Sequence, residues 1–184
     1  YEKALNEQVE EIKLELTDFR KRIQGYQGFE AICFSGKNIY LIIESKDDGS
    51  MKSFIIKGVI NRKSGIISIQ EESLKEIPLP INIKNMGFES IFEYKNQIVT
   101  LFEANGSNIY VEPKAIAFNK ELSEYNFIEF ENLEYRLTDV SRVDNRGRFW
   151  AINFFWPGEE KRLKPGYDEV LEKTKKGKTH STYK

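Results

Sequence analysis

Two pairs of glutamates share one spacing: Glu30 with Glu44, and then Glu89 with Glu103 at the same interval further along the chain. Asp139 and Asn153 keep that interval with shorter side chains. Carboxylates brought together repel one another; they coexist only by keeping a proton, meeting a basic group or holding a cation. An all-oxygen set without His or Cys suits a hard ion, Ca2+ or Mg2+, over zinc. Three chemistries stay open. Each acid can accept backbone N–H bonds and fix the start of a strand. Glu30, Glu89 and Asp139 can hold a cation, or the carboxylates can bind or turn over a substrate. Arg136 and Arg142 flank Asp139 as the candidate counter-cations, and Arg136 is suited to hold an anionic substrate group.

The spacing belongs to a repeat. Gly28-Phe29-Glu30-Ala31-Ile32, running on to Asn38–Glu44, returns as Gly87-Phe88-Glu89-Ser90-Ile91, running on to Gln97–Glu103, and six of seventeen positions are identical. A looser third copy spans Asp139–Asn153. A strand-rich repeat of about 50 residues is the mark of a propeller blade. In a four-stranded blade the first strand lines the central channel and the second runs antiparallel beside it. Near-equal arms then return the chain to its starting edge. The spacing therefore predicts an oxygen-rich ring at one channel mouth, built from Glu30, Glu89 and Asp139 and backed by Glu44, Glu103 and Asn153. Asn105, in the loop after Glu103, falls on the same rim, as does Trp156 just past the last strand. Either is a ligand contact, or they are respectively a turn residue and part of the aromatic packing between blades.

The elements that must position these groups are strands. Residues 1–24 carry apolar residues at helical spacing, but Ile12–Leu16 alternates, and the reading favours a strand. The first repeat predicts strands at 30–34, 39–44, 54–60 and 66–70, with a connector over Glu71–Met86. The second predicts 89–93, 97–103, 108–118 broken by Pro113, and 125–130. The third offers Val140–Val143 and Arg148–Phe154. The organisation is an N-terminal strand or helix segment (1–24), an all-β run of propeller blades (25–165, starting near 28, 87 and 137) and a polar, basic tail or truncated blade (166–184). Closed rings need four to eight blades, so three copies predict part of a larger ring, six-bladed by expectation. An open stack leaves an edge strand and an apolar face, which predicts self-association.

Composition narrows the classes of function. The chain has 184 residues, 31% charged and 40% hydrophobic, with a net charge of −1. That is globular, with no global attraction to nucleic acid or acidic membranes. No apolar run approaches the roughly 20 residues that span a bilayer. Cys33 is the single cysteine, which excludes an internal disulfide framework and reads as a packing thiol. One histidine, His180 in the tail, argues against a serine-hydrolase triad. There is no phosphate-binding Walker loop, HExxH, CxxC or GxSxG. The lysines of Lys173–Lys184 read as a solvated end.

Several stretches carry a family resemblance: Gly28–Ile32, Asn85-Met86-Gly87-Phe88-Glu89-Ser90-Ile91, Glu103-Ala104-Asn105-Gly106, and Tyr135-Arg136-Leu137-Thr138-Asp139. The last continues through Asp144, Gly147 and Arg148–Asn153. Over residues 26–165 the chain resembles the phytase-like, "esterase-like" bacterial β-propellers. The resemblance implies a six-bladed or similar ring, exported or lipid-anchored at the cell envelope. It also implies calcium-assisted hydrolysis of a phosphoester or ester on a small anionic substrate. The other reading is a non-catalytic propeller whose rim meets an envelope protein or glycan.

Overall fold

The computed structural model describes residues 12–15, 18–159 and 162–167. Among them the chain is all-β, with one 3-10 turn at Asp18–Arg22. Strands β2 (Tyr26–Ser35), β3 (Asn38–Asp47), β4 (Ser50–Asn61) and β5 (Ile66–Ile77) form an antiparallel meander. The short β1 (Lys13–Glu15) lies parallel on the outer edge of β5. A second meander follows, from β6 (Phe88–Tyr94), β7 (Gln97–Phe102), β8 (Lys114–Phe118) and β9 (Tyr125–Glu129). Then β10 (Arg136–Val140) and β11 (Ala151–Phe154) pair as a two-stranded hairpin.

Local chemistry closes these hairpins. Asp48-Gly49 and Lys95-Asn96 are two-residue turns with positive φ at both positions, the twist that matches right-handed strands. Between them the strands alternate. On β3, Tyr40 and Ile42 face the second meander, where Phe88, Ile98 and Phe102 meet them. Ile39, Leu41 and Ile43 face the other way, onto Ile56, Ile67 and Ile69. β7 repeats the pattern: Ile98 and Phe102 face the first sheet, while Val99 and Leu101 face the hairpin through Leu137, Val140 and Phe149. The three sheets therefore stack face to face, and β3 and β7, buried on both sides, read as near-continuous apolar runs.

The first strands of the three units, β2, β6 and β10, lie side by side. They also share an irregularity. A one-residue bulge falls between Phe29 and Ala31, between Phe88 and Ser90, and between Leu137 and Asp139. The extra residue is Glu30, Glu89 and Thr138 in turn. A bulge bends a strand and re-aims its side chains.

Several predicted bounds move. β5 runs on to Ile77 through the expected connector, because Ser73 bridges the interrupted ladder by accepting from Lys57 N–H at 2.8 Å and donating to the Gln70 carbonyl at 2.6 Å. β8 begins only after Pro113, since proline supplies no ladder donor. The third unit starts at Arg136, earlier than Val140, and 141–150 is outside any strand. Residues 13–15 form the expected strand; residues 1–11 and the lysine-rich tail lie outside the described residues.

Candidate functional site

The bulges bring the glutamates together. Glu44 pairs across from Gly28, beside the Glu30 bulge. Glu103 donates its N–H to the Gly87 carbonyl, beside the Glu89 bulge. Because β2 and β6 run alongside one another, the two corners meet. Burial, then the nearby charges of Glu30 and Glu89, push the Glu44 carboxyl up to about 7. Glu89 is raised by burial and by Glu30, while Arg136 and a hydrogen bond with Glu103 pull it back. Glu103 is fully buried, and burial together with Glu89 pushes it up to about 8. Two carboxyl groups can hydrogen-bond only if one keeps its proton, so Glu89 and Glu103 titrate as a pair that holds a proton more tightly than separate carboxyls do.

The third unit supplies the opposite charge. Arg136 Nη1 donates to Glu103 Oε2 at 3.3 Å and to the Asn85 carbonyl at 3.2 Å. Its Nε and Nη2 take both oxygens of Glu159, at 2.9 and 2.7 Å, as a two-pronged pair. Arg162 contacts the same Glu159. Glu103 Oε1 meanwhile accepts the Gly87 N–H at 2.7 Å. Gly87 has to be small. A Cβ there would stand 2.9 Å from Ser53 Oγ and 3.1 Å from Glu44 Oε2. Arg136 sits where Gly28 and Gly87 sit in the earlier units, one residue before the apolar residue that precedes the bulge. The site is thus a four-glutamate cluster whose buried end, Glu103, meets an arginine from the next sheet. Glu30 is its exposed margin and Glu103 its floor.

The other predicted residues fall differently. Asp139 lies one place past the bulge, exposed, and accepts its neighbour Val140 N–H at 2.7 Å. The physical reason is Leu137, which is completely buried against Phe92 and Val99 and sets which residues of β10 face out. Phe154, not Asn153, occupies the place equivalent to Glu44 and Glu103. The Asn153 amide, turned to satisfy both its ends, donates to the carbonyls of Tyr135 and Arg136 at 2.9 and 3.3 Å. Asn105 is a buried loop anchor: its Nδ2 donates to the Phe102 carbonyl, and its own carbonyl accepts from Leu133 N–H and Asn132 Nδ2. Trp156 is exposed, and its carbonyl accepts from Glu159 N–H in the turn that returns Glu159 to Arg136. Glu159, Ser53 and the Asn85 carbonyl went unread in the sequence. For Glu159 a signal exists, the Pro157-Gly158 turn followed directly by an acid.

Glu30 and Glu89 therefore meet without Asp139. Among the described residues no three His, Cys, Asp or Glu groups stand in metal-holding geometry; the positive charges felt by the cluster are Arg136 at Glu89 and Glu103 and Lys46 at Glu44. Cys33 is buried, and burial followed by the charge of Glu93 pushes its thiol up to about 11, which makes it a packing group. No helix among the described residues is long and apolar enough to cross a membrane. Comparison with family models, curated proteins and solved structures finds no match to this chain.

Proposed function

We propose that the three stacked sheets are successive blades of a β-propeller and that the chain is a non-catalytic binding scaffold, meeting a protein or glycan at the bacterial envelope. One observation carries the reading. The donors of Arg136 are taken up inside the protein, by Glu159, Glu103 and the Asn85 carbonyl. An arginine so engaged bolts β10 to the corner of the second sheet and has little left for a substrate anion. Face-to-face packing and the side-by-side first strands support the propeller arrangement.

The reading is tested with Arg136→Met. Loss of the guanidinium leaves Glu103 without its charged donor and Glu159 with Arg162 alone, so unfolding free energy in urea falls by about 1–3 kcal/mol, the range for a buried polar group that loses its partner. Arg136→Lys keeps the charge but not the fork, and recovers part of that loss. A variant that stays as stable as the parent would remove the bolt and the reading with it.

A second reading is favoured by the exposed Glu30 beside the half-buried Glu44, whose carboxyl sits at about 7. Such a pair can pass a proton near neutral pH, as a hydrolase of phosphoesters or esters requires. Turnover on an ester and phosphoester panel that disappears in Glu44→Gln would favour this second reading. Calcium titration of chelator-treated protein, followed by melting temperature, tests the cation that the resemblance implies.

A further inference from the structure

A second feature lies at the other end of the same seam. Past the bulges, the ends of β2, β6 and β10 enclose a groove of about 490 Å3 with the turn after β4 at its side. Its lining is mixed, with Ile32, Phe34, Phe92 and Val143 as its apolar part, and Ile32 is 47% exposed. Two guanidiniums enter it. Among the described residues Arg62 reaches only the Gly36 carbonyl, at a long 3.5 Å. Arg142 has no acceptor among the described residues, although its charge is felt at Cys33. The one acid in the lining, Glu93, is answered by Lys120 at 2.6 Å, a contact that holds its carboxyl below the usual range.

We infer that this groove is a binding site for a small amphipathic carboxylic acid, its head on Arg142 and Arg62 and its aryl or alkyl body against Ile32, Phe34 and Phe92. Two under-used arginines over an apolar wall match a single negative charge on an apolar body. The ionised Glu93 in the lining opposes a doubly charged head, which separates a carboxylate from a phosphate monoester. The site draws on all three sheets, so it exists only in the packed chain. It does not depend on the role given to Arg136.

The test is calorimetric titration with phenylacetate, with amide chemical-shift mapping to locate it. Phenylacetate binds, shifts concentrate at 32–36, 91–93 and 140–143, and neutral phenylacetamide binds at least about ten-fold more weakly. Arg142→Gln weakens phenylacetate by about ten-fold or more and Arg62→Gln by less, with melting curves unchanged because both side chains are at the surface. No binding at millimolar phenylacetate, equal binding by Arg142→Gln, or shifts confined to the aromatic residues of β11 would each overturn the site. Tighter binding of phenyl phosphate than of phenylacetate would overturn the choice of a monoanionic head.

Discussion

At the scale of single residues, the glutamate cluster ties stability to pH with a definite sign. A carboxyl raised above its unfolded value, roughly 4.3 for glutamate, holds its proton more tightly in the folded chain. Its stabilising contribution is complete below that value. It is lost as pH rises through about 7 for Glu44 and about 8 for Glu103. The acids with lowered values, Glu93, Glu159 and Asp144, act the other way only in more acidic solution. Melting temperature should therefore fall steadily between pH 5 and 8.5. Glu44→Gln, which removes a like charge beside Glu30 and Glu89, should flatten the part of the slope centred near 7. An unchanged slope in that variant would mean the cluster is not what titrates.

At the scale of elements, one motif placed twice makes different demands. Gly87 is pressed between Ser53 and Glu44, whereas the only atom near a Cβ at Gly28 is Glu30 Oε1, at 3.8 Å. Gly87→Ala should cost about 1–3 kcal/mol by urea unfolding, the range for forcing atoms into a packed site. Gly28→Ala should stay within about 0.5 kcal/mol. Equal effects would mean that β2 and β6 do not meet at their corners as described. The difference was legible in part. Gly28 and Gly87 align in the repeat, but which one another sheet covers depends on Ser53 of β4, a residue of the preceding unit and remote from Gly87 along the chain.

Across the molecule, the sheets formed by the described residues decline in strand number, from five to four to two. A two-stranded hairpin is marginal unless something covers it. On and beside β11, Trp150, Ile152, Phe154, Phe155 and Trp156 are all exposed, Trp150 at 85%. Such a patch beside a strand edge that no described strand covers favours pairing between copies. Sedimentation velocity should show association that grows with protein concentration, and Ile152→Lys, a charge on the edge strand, should reduce it. A concentration-independent monomer would show that the hairpin is stable unaided.

Residue order alone is enough for the repeat, the all-β class and the meeting of Glu30 with Glu44 and of Glu89 with Glu103. These follow from hairpins whose arms are set by local turns, so spacing along the chain carries over into space. The third unit is set by packing between sheets instead. Its hairpin pairs Arg136 with Phe154, enclosing a longer stretch of chain than the pairing of Gly28 with Glu44 in the first. The equal interval from Asp139 to Asn153 therefore misaligns it. Burial of Leu137 against the second sheet fixes that register, placing Thr138 at the bulge and Asp139 in solvent. The same packing delivers Arg136 to the glutamates, and the turn at Trp156 brings Glu159 back to it. A charge pair assembled from two sheets and a turn has no signature in local spacing; it forms because buried carboxylates need a cation, and the stacked sheets put one within reach.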